Sequence, residues 1–142
     1  MYRFAYPARL TPDKEDGGYV VTFRDVPEAI TQGEDLGEAL REAADCLEEA
    51  IAGRIDDGRE IPPPSRRRAG ERLVHLPLQT AMKAALHLAM RERGITKSEF
   101  ARRLGVDEKE VRRLLDPRHG TRLPAMERAL AVLGRHAELR VA

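Results

Sequence analysis

Carboxylates that could hold a catalytic metal occur early in this chain of 142 residues. They are Asp13, Glu15, Asp16 and Asp25. Phosphodiester hydrolysis by metal ions needs several carboxylates that converge on the metals. Here the first three fall in a polar stretch that ends in Gly17-Gly18, a turn signal, and they therefore cluster at a turn. We predict no catalysis and no bound metal.

Cysteine and histidine, which could act as a nucleophile or as ligands, are sparse. The chain has no Cys-x-x-Cys or His-Glu-x-x-His motif and no Gly-rich phosphate loop, so no cofactor is expected. Cys46 lies near an apolar stripe with no histidine nearby in sequence, which indicates a small core residue. A single cysteine fits a reducing cytoplasm. The histidines show no ligand spacing: His75, His87, His119 and His136.

Basic residues are concentrated in a segment whose capping pattern predicts two helices joined by a tight turn. Thr96 and Asp107 are the expected N-caps, and each is followed three residues later by a glutamate. Gly105 supplies the positive φ that the turn requires, and Ala101 lets the helices cross closely. The spacing predicts a helix-turn-helix. Its small core would be filled by Phe100, Leu104, Val106, Val111 and Leu114.

The second helix of such a motif enters the major groove of DNA. We predict that the following residues of the two helices face the duplex: Lys97, Ser98, Arg102, Glu108, Lys109, Arg112 and Arg113. Arg118, His119 and Arg122 could add contacts to the phosphate backbone. Glu108 would repel phosphate, but it could accept from a cytosine amino group or face solvent. A helical bundle with basic side chains on its surface is the alternative interpretation.

The elements that precede this motif are predicted to form a small sheet with one helix. Alternation indicates strands over 2–10 and 19–24, and a short third strand over 29–32. Asp35 caps a helix that Gly58 ends. A strand over 73–76 could pair back with the first, which gives the order β-β-β-α-β. The predicted class is α+β.

The second half is predicted to be helical. A helix over 78–93 has an apolar stripe that starts at Leu78, and a last helix runs from Pro124 to Gly134. Residues 137–142 could form a short terminal strand. We therefore expect two domains, 1–77 and 78–142.

Charge is segregated along the chain. Residues 1–61 hold 7 Lys or Arg and 15 Asp or Glu, whereas residues 62–142 hold 18 and 9. The net charges are −8 and +9, which suggests two surfaces with different partners or simply two solvated domains of opposite charge. No apolar run approaches the roughly 20 residues of a membrane helix, and the first residues lack the apolar region of a signal peptide. A cytoplasmic protein without membrane contact is expected.

The stretch GGYVVTFRDVPEAITQGEDLGEALREAADCLEEAI resembles the N-terminal domain of HicB antitoxins. That family has a hairpin strand, a proline-containing turn, a Thr-x-Gly step and a helix with an acidic face. The matching positions are Gly18, Pro27, Thr31, Gly33, Glu38, Ala39 and Leu40. The second half resembles the Xre/Cro-type helix-turn-helix. Glu28-Ala29 departs from the small pair, such as Gly-Cys, that often follows the turn proline.

The resemblance implies a degraded RNase H-like N-terminal domain that blocks a small basic HicA toxin, an RNA-cleaving enzyme. It also implies a helix-turn-helix that dimerises on double-stranded operator DNA and represses its own operon, in a dimer or tetramer. Carboxylates could compete for the toxin's basic surface, or they could form a solvated helix face. The candidate toxin contacts are Glu34, Asp35, Glu38, Glu42, Asp45, Glu48 and Glu49.

A stand-alone transcription factor with a ligand-sensing N-terminal domain is the second hypothesis. It needs a pocket, and the low aromatic content of 4% together with the short sheet argues against one.

Overall fold

A computed structural model describes all 142 residues and divides the chain into two compact units, Met1–Leu78 and Gln79–Ala142. In unit 1 the elements follow the order β-β-β-α-β. They are β1 (Ala5–Pro12), β2 (Tyr19–Phe23), β3 (Ile30–Gly33), α1 (Leu36–Asp56) and β4 (Glu71–His75). This confirms the predicted α+β class and element order.

The sheet of unit 1 has the strand order β3-β2-β1-β4, and every neighbouring pair is antiparallel. The last strand returns to the first, as the sequence predicted, with Tyr6 opposite Val74 and Ala8 opposite Arg72. Strand β1 begins at Ala5 and not at Tyr2. Both sheet edges, β3 and β4, are short strands of 4 and 5 residues.

Helix α1 covers one face of the sheet and forms the core of unit 1 with it. Tyr6 and Val21 from the strands and Leu47 and Ile51 from the helix are fully buried. Gly33 allows the close approach of strand and helix, because a Cβ on it would lie 2.3 Å from the backbone nitrogen of Ala39. The helix begins where Asp35 accepts a hydrogen bond from the Glu38 amide, as predicted.

Unit 2 consists of helices. They are α2 (Leu78–Arg93), α3 (Lys97–Leu104), α4 (Glu108–Leu115) and α5 (Leu123–Val132). Its core contains Leu86, Phe100, Val111 and Leu130, one from each helix, with exposures between 0% and 2%. Each helix of the predicted set is present.

Three details of the sequence interpretation of the second half are wrong. Val106 lies in the α3–α4 turn and is 40% exposed. Its contribution to the turn is a backbone hydrogen bond, in which its amide donates to Ala101 O (3.0 Å). Leu78 opens α2 outside its buried stripe and is 67% exposed. Residues 137–142 form no strand, since no strand in unit 2 offers hydrogen-bond partners to them.

Candidate functional surfaces

Two capped helices and the turn between them set the geometry of the α3–α4 pair. The Thr96 hydroxyl accepts from the Glu99 amide (3.1 Å), and the Asp107 carboxylate accepts from the Glu110 amide (2.8 Å). Gly105 has φ +71° and ends α3 in the left-handed conformation. Both helix starts are therefore fixed by their own side chains, which confirms both predicted N-caps.

Helix α4 buries one side and exposes the other. Val111 and Leu114 point into the core, with exposures of 0% and 8%. Its polar residues are all exposed: Glu108, Lys109, Glu110, Arg112 and Arg113. The predicted contacts outside α4 are also exposed: Lys97, Ser98, Arg102, Arg118 and Arg122. The short helix thus displays cations on a rigid support.

The cations of α3 and α4 differ in how far they are engaged within the chain. Arg102 pairs with Glu99, and Arg113 lies 3.7 Å from Glu110. By contrast, Lys97, Lys109 and Arg112 make no hydrogen bond or ion pair through their side chains. Those three charges are the most available to a partner, and Lys109 and Arg112 are the two that lie on α4.

The Ser98 hydroxyl donates to the carboxylate of Glu108. This hydrogen bond links the first turn of α3 to the first turn of α4. Only Oε1 of Glu108 is engaged in this way, so Oε2 is left as an acceptor.

Lys83 of α2 binds the end of α4, a contact that was not predicted from the sequence. Its side chain is fully buried on α2, and its ammonium donates to Arg113 O (3.0 Å), Leu114 O (2.7 Å) and Thr121 Oγ1 (2.6 Å). Two of these acceptors are carbonyls of the last turn of α4, where a cation is favourable. Burial lowers the pKa of Lys83 to about 8, while Asp116 acts in the opposite direction. Nothing in the sequence pattern of α2 indicates this role for Lys83.

The acidic candidates form a second surface, on unit 1. Glu38, Glu42, Asp45 and Glu49 recur every three or four residues, so they share one side of α1. Glu34 and Asp35 lie immediately before the helix, and Asp35 is occupied as its N-cap. Glu48 lies on the same helix and is half-buried. The stripe places several negative charges along the outer side of a rigid helix.

The comparisons with known proteins place this acidic unit in a family. A family model described as the HicB_like antitoxin of bacterial toxin-antitoxin systems matches residues 5–85. Antitoxin HicB of Escherichia coli K12 is 40% identical over 134 residues, which cover 94% of this chain and 96% of that protein. The chain belongs to the HicB antitoxin family.

Other HicB proteins extend the match over nearly the whole chain. Antitoxin HicB 1 of Photorhabdus laumondii is 37% identical over 96% of this chain and 86% of its own length. Antitoxin HicB of Pseudomonas fluorescens is 37% identical over 99% and 94%. The similarity therefore includes unit 2 as well as unit 1, and the chain is an antitoxin of a toxin-antitoxin system.

Two of the four carboxylates considered for a nuclease, Asp13 and Asp25, have structural roles in this HicB protein. Asp13 accepts from the amides of Glu15 (3.0 Å) and Asp16 (3.2 Å) and so holds the β1–β2 turn. Asp25 accepts from the amide and the hydroxyl of Ser65 (2.7 and 2.6 Å). No group of three or more His, Cys, Asp or Glu side chains is placed to hold a metal ion. That the chain is not an enzyme stays a prediction.

Cys46 of the HicB protein lies beside β3. Its thiol donates to Ile30 O (3.6 Å), and burial raises its pKa, which disfavours the nucleophilic thiolate. None of the helices has the length and apolar character needed to cross a bilayer.

Proposed function

We propose that this antitoxin neutralises a HicA-type RNA-cleaving toxin through the acidic side of α1 and represses its own operon through the α3–α4 pair, acting as a helix-turn-helix. The observation that carries the DNA part is the exposure of the unengaged Lys109 and Arg112 on a helix whose other side is buried. Membership of the HicB family supports the toxin part.

The charge of the acidic stripe supports a cationic partner. A ribonuclease must hold RNA phosphates, so its binding surface is expected to be basic. Carboxylates on a rigid helix can meet that surface without reorganisation, and they speed association and fix orientation. The α1 stripe is therefore the part of unit 1 that we assign to the toxin.

The DNA surface is small, which supports a symmetric oligomer on the operator. A single recognition helix reaches only a few base pairs, and two-fold related copies read an inverted repeat with half-sites about one helical turn apart. We propose a dimer or tetramer of this chain in the cytoplasm, bound to double-stranded operator DNA.

Co-expression with the product of the adjacent gene tests the toxin assignment. We expect a small basic protein to co-purify with the antitoxin. The variant Glu42→Gln/Asp45→Asn/Glu49→Gln should lower its affinity at least tenfold, because three carboxylates of one stripe are neutralised. Glu15→Gln/Asp16→Asn/Glu60→Gln makes the same charge change at exposed positions outside α1 and serves as the control. Equal toxin affinities of the two variants would show that the acidic stripe of α1 is not part of the toxin interface.

Binding to the promoter region of its own operon tests the DNA assignment. In a gel mobility-shift assay, Lys109→Ala/Arg112→Ala should abolish specific binding. Arg128→Ala/Arg140→Ala, which removes two exposed cations from other parts of unit 2, should not. Wild-type affinity should fall steeply with salt, since bound cations displace counterions. Retention of operator binding in the first variant contradicts the assignment of α4.

A further inference from the structure

Unit 1 carries a group of arginines that neither proposed surface uses. The boundary between the units lies after Leu78, so the arginines that follow the proline run belong to the acidic unit. With them, unit 1 holds 11 Lys or Arg against 16 Asp or Glu. Three of these cations, Arg9, Arg24 and Arg68, line one groove on the sheet face opposite α1. We call these three residues the arginine face, and Arg66 and Arg67 are exposed in the loop that adjoins it.

Hydrogen bonds fix the loop that adjoins the arginine face. Asp25 binds the backbone amide and hydroxyl of Ser65 (2.7 and 2.6 Å), and Arg24 donates to the carbonyl of Arg66. The amide of Arg68 donates to Glu71 (2.7 Å). The loop backbone is therefore held without using the side chains of Arg66 and Arg68, which leaves both guanidinium groups for another partner.

A groove of about 370 Å³ lies between these side chains. Arg9, Arg24 and Arg68 line it together with the hydroxyl of Thr22. Arg9 pairs in register with Thr22 on one side and with Glu71 on the other, so the three share one face of the sheet. The groove is large enough for a phosphate group.

Glu71 is the only carboxylate that lines this groove, and it is already engaged. Its oxygens accept from the Arg24 guanidinium (3.0 and 3.1 Å) and from the Arg68 amide. The guanidinium groups of Arg9 and Arg68 make no hydrogen bond or ion pair at all. With the hydrogen bond from Arg24, the charge of Arg9 helps to lower the pKa of Glu71, but three arginines against one carboxylate leave the groove with a net positive charge.

We propose that the arginine face binds the phosphodiester backbone of nucleic acid without reading its sequence. Planar guanidinium groups match phosphate oxygens in pairs, and a hydroxyl adds a neutral donor. The acidic stripe of α1 lies on the other side of the sheet and does not occupy the groove. This surface is separate from α4, and the proposal does not depend on the function proposed for α4.

The acidic α1 of a second copy is a less favoured occupant. Docking α1 of one copy onto the arginine face of the next joins two different patches, and repetition of such a contact builds open chains or rings. A closed two-fold dimer uses the same patch on both copies. Phosphate is therefore the better match for the exposed guanidinium groups.

The test uses the full chain with Lys109→Ala/Arg112→Ala already in place, so that α4 contributes little. Fluorescence anisotropy measures binding to a non-operator duplex DNA and, in a second arm, to a single-stranded RNA of equal length. The test variant adds Arg9→Ala/Arg68→Ala. The control adds Lys14→Ala/Arg41→Ala, an equal charge change at exposed positions outside the arginine face. Arg9→Lys/Arg68→Lys keeps the charge and checks folding.

We expect the test variant to bind at least tenfold more weakly than the control, and the lysine variant, which keeps the charge but loses the paired donors, to lie between the two. The slope of log K against log salt should fall by about 2 on duplex DNA and by a little less on single-stranded RNA, as two phosphate contacts are lost. The arm with the larger loss identifies the ligand. Equal affinities and slopes in test and control overturn the proposal. Loss of self-association with nucleic-acid binding unchanged overturns it in favour of a second copy.

Discussion

Two buried charged side chains, Lys83 and Glu71, make hydrogen bonds that position the proposed surfaces. Lys83 donates hydrogen bonds to the last turn of α4, and Glu71 joins β4 to Arg24 and to the backbone of the loop that carries Arg66, Arg67 and Arg68, here called the arginine loop. Both side chains are at most 4% exposed. A buried charge is tolerated only when its hydrogen bonds are satisfied, so each residue has an effect beyond its own position.

Lys83→Met keeps the length of the side chain and removes its donors. The carbonyls of Arg113 and Leu114 and the hydroxyl of Thr121 then lose a partner. We expect unit 2 to lose about 2 kcal/mol of stability and α4 to shift or fray, so that operator affinity falls. Thermal unfolding and operator titration measure both effects. Lys14→Met, at an exposed turn, is the control, and unchanged operator affinity in a folded Lys83→Met protein would contradict a positioning role.

Glu71 should make unit 1 sensitive to acid. Hydrogen bonds from Arg24 and the Arg68 backbone lower its pKa from 4.5 to about 2. Folding therefore favours the ionised form. The stabilisation is complete above pH 4.5 and is lost as pH falls towards 2.

Urea unfolding of the wild type and of Glu71→Gln at pH 7, 4 and 2 measures this contribution. The variant should be less stable at pH 7, and the difference from wild type should shrink at pH 2. The hydrogen bond from Arg54 lowers the pKa of Glu28 as well, so some acid sensitivity remains in the variant. A constant difference at all three pH values would rule out titration of Glu71.

At the scale of the elements, α1 depends on a glycine in the strand that it follows. A Cβ on Gly33 would lie 2.3 and 2.5 Å from the backbone of Ala39, whereas a Cβ on Gly53 meets nothing within 4 Å. Gly33→Ala should therefore destabilise unit 1 by more than 2 kcal/mol and weaken toxin binding. Gly53→Ala, within the same helix, should stabilise it by about 0.5–1 kcal/mol. Chemical denaturation compares the two, and similar effects of both substitutions would show that the α1–β3 contact is loose.

The sequence predicted elements wherever local chemistry determines them. Asp35, Thr96 and Asp107 cap their helices as expected, because capping depends only on the next three residues. The return of β4 to β1 was also predicted. Lys83 could not be found in this way, since its burial depends on carbonyls 30 and 31 residues away.

Val106 and the arginine loop mark two other limits of sequence reasoning. Val106 is apolar in sequence, but its place in a tight turn leaves it exposed. The loop arginines were counted with the basic half, whereas the loop belongs to unit 1, where Asp25 binds Ser65 and Glu71 binds the Arg68 amide. Which acidic and basic residues serve partners stays a prediction.

At the scale of the whole molecule, the two structural units differ less in net charge than the two halves counted in the sequence. The structural boundary gives net charges of −5 for unit 1 and +6 for unit 2, in place of −8 and +9. Unit 1 itself has an acidic helix and an arginine face on opposite sides of its sheet. The chain therefore carries three charged surfaces, and we propose that each serves a different partner.

The most direct test of separate toxin and operator surfaces measures both affinities in both variants at one salt concentration. Lys109→Ala/Arg112→Ala should lose operator binding and keep wild-type affinity for the co-purified toxin. Glu42→Gln/Asp45→Asn/Glu49→Gln should lose the toxin and keep the operator. Loss of both partners in either folded variant would contradict the account.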